Sequence, residues 1–208
     1  MGINYKRFYV EKDTPVPALT GTASTKMNDH VKISLSIKKE TLTIFPSPNR
    51  TNNSLRVLKV KQQKYLSNLS WLVPSEQEKR KETPKTIIFC NTMQDMASVL
   101  GYLLTSCGDY GYPTGKDKLL PKRAVGLYHS LTWAKYKCRV LNSFKGNDGV
   151  VRVVIVSSAL SMGVNNPDVK YVIHLGPAQS VVDHIQQAGE LAERKASLSM
   201  LWLSMVNN

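Results

Sequence analysis

Between residues 150 and 194 the chain carries hydroxyl, amide and small side chains that can contact an anion. Ser157 and Ser158 lead this stretch. A serine hydroxyl donates well to an anionic oxygen, such as that of a phosphate group. Gly163, Asn165, Asn166 and Pro167 punctuate the segment after the two serines, and Asn165 offers an amide that both donates and accepts. Ordinary turn chemistry uses the same residue types, so type alone leaves both readings open. Position adds weight to the first. Residues 151–156 form a short β-branched run suited to one buried parallel strand, and 169–175 read as the next. A loop leaving the carboxyl end of a parallel strand is where open α/β sheets bind ligands.

The elements needed to hold such loops can be traced along the chain. Residues 24–36 read as a helix, with Ser24 or Thr25 as cap and Met27, Val31 and Leu35 along one face. Without a sheet of its own this helix has no core to join, and it is expected to dock opportunistically or to move. Residues 47–50 are turn-prone and extended, because each proline disfavours helix in the residue before it. Residues 55–60 alternate as a strand, and 62–73 place Tyr65, Leu66, Leu69 and Leu72 at helical spacing. Strands at 86–90, 124–128, 151–156 and 169–175 then alternate with helices at 93–105 and 133–144. That alternation implies an α/β fold around a parallel sheet with right-handed crossovers. Residues 108–122, rich in Gly, Pro, Tyr and Lys, form an irregular insertion longer than a usual helix-to-strand loop. Residues 198–206 read as a closing strand, too short to cross a bilayer.

The balance of 28 Lys and Arg against 15 Asp and Glu gives a formal charge of +13, and the pI is about 9.7. Such a surplus attracts phosphate backbones, although a solvated cationic face has the same composition. Cys90, Cys107 and Cys138 are irregularly spaced, suggesting neither a disulfide framework nor a zinc site, and a reducing interior is the natural compartment. Nothing resembles a signal peptide or a spanning helix, so no membrane partner is expected.

Several of these residues together carry a resemblance to a family. Ala159, Met162, Gly163, Asn165, Pro167, Asp168 and Val169, then His174, Gln186 and Gly189, resemble motifs V and VI of RecQ-like DNA helicases of superfamily 2. Residues 85–91 resemble motif IV, Tyr128 and His129 the step after it, and residues 18–23 motif III. Pro48, Asn49, Arg50, Thr51 and Asn52 resemble the family's Arg-x-Asn linker between lobes. The resemblance implies a RecA-like, P-loop-type three-layer fold. It divides the chain into a remnant of a first lobe at 1–45, a linker with lead-in strand and helix at 46–83, and a second motor lobe at 84–208. It further implies nucleic-acid contacts at Asn91, His129, Ser157, Ser158 and Met162, and nucleotide contacts at Arg50, Asn165, Gln186 and Gly189. Plain alternatives stand beside these: a structural histidine at 129, a turn residue at 165 and a surface cation at 50.

Departures from the family pattern limit the chemistry. No Gly-x-x-x-x-Gly-Lys-Ser/Thr and no Asp-Glu carboxylate box occurs, so the ATP and Mg²⁺ of the intact family would be held by a first lobe, and neither is expected to bind this chain alone. The motif VI arginines, which stabilise the transferring phosphoryl group, are replaced by Glu190 and Glu193. Arg194 comes into reach only through a one-residue slip, and no catalytic residue is assigned. The leading expectation is the second lobe of a 3′-to-5′ DNA helicase, inactive alone, acting on single-stranded or forked DNA with a first lobe in trans. The alternatives are a non-enzymatic nucleic-acid-binding descendant and the lobe of an RNA helicase of the same superfamily. The expected location is the nucleus of a eukaryote, or otherwise the cytoplasm.

Overall fold

The computed structural model describes residue 17 and residues 25–37, 41–44, 53–61, 64–73, 83–108, 124–146, 149–157, 168–176 and 198–206. The chain divides into two compact units, Met1–Asn49 and Arg50–Asn208.

In the first unit, helix α1 (Thr25–Ser34) buries none of its described side chains fully, and Ile33 is 76 % exposed. The helix ends in a Schellman arrangement. Ile37 N–H donates to the Lys32 carbonyl, Ser36 N–H donates to that of Ile33, and Ser36 takes a positive φ of 47°.

The second unit is built on strands β1 (Asn53–Lys61), β2 (Thr86–Cys90), β3 (Val125–Tyr128), β4 (Val153–Ser157), β5 (Tyr171–Leu175) and β6 (Leu198–Val206). They form one sheet in the order β1-β6-β5-β2-β4-β3, and every pairing is parallel. The expected RecA-like α/β layering is present. Residues 198–206 do form a strand, but it lies inside the sheet between β1 and β5 and not at its edge.

Because successive strand residues point to opposite faces, β2 and β4 feed two cores at once. Ile88, Cys90, Val153 and Ile155 pack with α2 (Met93–Cys107) and a 3₁₀ helix at Leu66–Leu72. Ile87, Phe89, Val154 and Val156 pack on the other face with α3 (Ala134–Lys145) through Val140 and Phe144. The inward faces of α2 and α3 are those that their apolar spacing predicts. The lead-in helix differs from expectation: it is a 3₁₀ helix and covers only Leu66–Leu72. Leu66, Leu69 and Leu72 recur every third residue, which matches three residues per turn better than 3.6. Gly126 lets α3 approach β3, since a Cβ there would lie 2.6 Å from Val140 Cγ1. Strand β1 is an edge strand with Leu55, Val57 and Leu58 exposed, and its Arg56, Lys59 and Lys61 discourage further pairing.

Candidate nucleic-acid interface

Parallel strands in register end together. Cys90 is level with Ser157 on one side and Leu175 on the other, and Tyr128 is level with Val156. The carboxyl ends of β2, β3 and β4 therefore lie along a single edge. This brings together three of the sequence-derived candidates: Asn91 after β2, His129 after β3 and Ser157 at the end of β4.

Each is held differently. Asn91 is exposed and precedes Thr92, whose hydroxyl caps α2 by accepting from Asp95 N–H at 3.0 Å and lies 2.6 Å from the Asp95 carboxylate. His129 sits in a tight turn. Thr132 N–H donates to its carbonyl at 3.0 Å, its own N–H donates to Thr132 Oγ1 at 3.2 Å, and its Nδ1 accepts from Leu131 N–H at 3.1 Å. Accepting at Nδ1 leaves Nε2 as the protonated nitrogen of the neutral ring, a donor for a ligand. The Ser157 hydroxyl is buried and finds no hydrogen-bond partner among the described residues. A cation closes the turn after β3: Lys137 Nζ donates to the Ser130 carbonyl at 2.7 Å and lies 5.8 Å from the Tyr128 ring centre.

Cys90, also at this edge, is not a nucleophile. Burial, assisted by the nearby Asp95 charge, pushes its thiol up to about 12 from 9.0. With the folded thiol raised, the unfolded chain loses its proton first. Stability is therefore undiminished by this group below pH ~9 and falls toward pH ~12, by at most about 1.4 kcal/mol per pH unit. Cys107 is buried and Cys138 exposed. Alkylation of the native protein at neutral pH is expected to modify Cys138 alone, with Cys90 and Cys107 reacting only in denaturant, as peptide mass mapping would read.

The helicase conserved C-terminal domain model matches residues 62–192. The chain belongs to that family, as a RecQ-like motor lobe. It is 28 % identical over 171 residues to human ATP-dependent DNA helicase Q4, covering 82 % of this chain and 14 % of that protein. It is 29 % identical over 191 residues to ATP-dependent DNA helicase Q-like 5 of Arabidopsis thaliana, covering 92 % and 19 %. The RecQ-like lobe thus spans under a fifth of the length of either relative. Its fold is similar to that of S. cerevisiae Dbp5 bound to RNA and ADP BeF3, with TM-score 0.66, 15 % identity, and coverage of 95 % of this chain and 47 % of that one.

At the opposite, amino-terminal edge the RecQ-like lobe has a cluster that sequence reasoning missed. Lys85 is buried, with Nζ 5.9 Å from the Phe144 ring centre and 3.6 Å from Asp168 Oδ2. It donates to the carbonyls of Lys145 and Gly146 at 3.4 and 3.3 Å, closing the end of α3. Arg152 Nε donates to the Thr83 carbonyl at 2.8 Å; burial lowers the Arg152 pKa, and Asp168 opposes that shift. Asp168, one of the motif V residues, therefore anchors the start of β5 on the side away from the candidate interface.

Arg50, Ser158, Met162, Asn165, Gln186, Gly189, Glu190, Glu193 and Arg194 lie outside the described residues. No group of three His, Cys, Asp or Glu side chains able to hold a metal ion occurs among the described residues. The sequence contains no Gly-x-x-x-x-Gly-Lys-Ser/Thr phosphate loop.

Proposed function

We propose that the chain is the nucleic-acid-gripping second lobe of a RecQ-like helicase, which closes on ATP held by a first lobe and has little activity alone. The observation that carries this reading is the common edge at which β2 and β3 present Asn91 and His129 and where β4 ends at Ser157, whose buried hydroxyl has no partner among the described residues. A hydroxyl, an amide and an imidazole N–H are all donors, and donors set along one edge suit successive phosphates of a single strand. The excess of +13 charges supplies the attraction that brings the strand there. Translocation with 3′-to-5′ polarity on DNA accords with the RecQ-like relationship, as does residence in the nucleus of a eukaryotic cell.

A second reading has one observation in its favour. Glu190 and Glu193 stand where arginine would meet the γ-phosphate, as suits a helicase-derived protein that binds nucleic acid without hydrolysing ATP.

Both readings require backbone binding. Fluorescence anisotropy with labelled single-stranded DNA and RNA over a salt series tests it. A lobe touching about four phosphates is expected to lose affinity about 50-fold between ~50 and ~200 mM salt, with little dependence on base sequence. An affinity unchanged over that range would sink the proposal. ATP hydrolysis measured in parallel is expected to be negligible for the chain alone.

A further inference from the structure

We propose that Trp133 is a stacking platform for a base of single-stranded nucleic acid at the β3 end of this edge, with its phosphates met by the cations of α3. The inference rests on the nucleic-acid-gripping role proposed for the lobe and adds a contact to the base where that role has only contacts to the backbone.

Two large apolar side chains stand in solvent within three residues of each other: Leu131 is 85 % exposed and Trp133 75 % exposed. A lone exposed apolar residue needs no explanation. Here the surroundings ask for one. The turn carrying both is fixed by the hydrogen bonds of His129, Thr132 and Lys137, and the Trp133 carbonyl accepts from the N–H groups of Tyr136 and Lys137 at 3.0 Å. The backbone under the indole is thus held in place, which lowers the entropy cost of using it as a surface.

Trp133 also occupies the N-cap of α3 and makes no side-chain cap bond, at a position where Ser, Thr, Asp or Asn would stabilise the helix. Helix α3 carries Lys135, Lys137, Arg139 and Lys145 and no carboxylate, and its first turn has no acid to complement the helix dipole. An exposed indole, a missing cap and an unrelieved cationic field therefore coincide in one turn. Local rules broken together mark a site whose residues answer to something other than the fold. A polyanion with flat aromatic bases satisfies all three features: a base covers the indole, and the flanking phosphates meet Lys135 and Arg139, both exposed. A protein surface covering the indole would have to be acidic as well, and nothing else among the described residues of this edge calls for that.

The test compares the full chain with Trp133→Ala and Trp133→Phe, binding labelled (dT)20, (U)20 and an abasic deoxyribose-phosphate chain of the same length. Trp133→Ala is expected to weaken binding to base-bearing strands about tenfold, Trp133→Phe to restore most of it, and neither to alter affinity for the abasic chain. Loss on one of the two base-bearing strands but not the other would support the stack and name the nucleic acid. Equal losses on all three would overturn it, since the residue would then act on the backbone or the fold. Wild-type affinity of Trp133→Ala, with the salt slope intact, would overturn the stack while leaving the gripping lobe standing. The stack is equally overturned if that variant instead loses association with a first lobe, which would put a protein on the indole. A wild-type chain that binds none of the strands removes both proposals.

Discussion

Arginine at positions 190 and 193 is expected to raise the DNA-stimulated ATPase of this lobe, complemented with a first lobe that carries the phosphate loop, by about 10³-fold or more. The reason is electrostatic. Phosphoryl transfer leaves little covalent chemistry to the protein, so the rate depends on how well developing negative charge is met, and a guanidinium there contributes about 10³ to 10⁵. On the proposed reading Glu190 and Glu193 hold the family's arginine positions in the sequence, and carboxylates there would add repulsion to the loss of attraction. Lysine is expected to recover much less, because a point charge does not reproduce the planar, bidentate contact of arginine. Steady-state hydrolysis with and without single-stranded DNA reads the effect for Glu190→Arg, Glu193→Arg and the pair. No gain in the double variant would place the defect elsewhere in the lobe.

Phe144→Ala is expected to cost about 3–5 kcal/mol of unfolding free energy, a large part of the ~5–15 kcal/mol that ordinary domains possess. Phe144 is fully buried and joins α3 to the face of the sheet formed by Ile87, Phe89, Val154 and Val156. Truncation leaves a cavity under Lys85, whose ammonium lies over the ring while its donors hold the last carbonyls of α3. A buried cation that loses its neighbour is costly, so the loss should fall in the upper half of the range. Urea unfolding monitored by circular dichroism measures it, and Phe144→Leu should recover most of it. A loss under ~1 kcal/mol would mean that α3 does not dock through this side chain.

The parts of the fold that depend on local pattern are the parts legible in the sequence. Ile87, Ile88, Phe89 and the Val153 to Val156 run are β-branched or aromatic without helical spacing, and they are strands. Met96, Val99 and Leu103 repeat on a helical period, and they are the buried face of α2. The 3₁₀ helix is less legible, because a leucine every third residue fits two kinds of helix over so short a length. Strand order is set by long-range pairing, which no local pattern encodes, and so the interior place of β6 is not apparent from the chain. Burial of Lys85 is equally hidden, since a lysine beside a strand is usually solvated. At the candidate interface, Asn91, His129 and Ser157 are readable as residues at strand ends, and the register of the sheet is what unites them. Trp133 escapes notice for a different reason: it starts the predicted helix without belonging to its inward face, and its exposure is seen only in the structure.

The pairing of β1 with β6 has a consequence for synthesis. Asn53 is level with Leu198, so one of the first strands of the unit to leave the ribosome is hydrogen-bonded to the last. At the usual ~5–20 residues per second the early strand waits roughly 7 to 30 seconds for its neighbour. Strands β2 to β5 can meanwhile assemble around their own two cores, since none of their mutual pairings involves residues beyond Leu175. Until β6 is made, Leu55, Val57 and Leu58 belong to a strand with no sheet neighbour to pair with. Residues 198–206 act as a keystone slotted in last, and a stop codon placed just before them would strand β1 permanently and make it a target for chaperones and proteases.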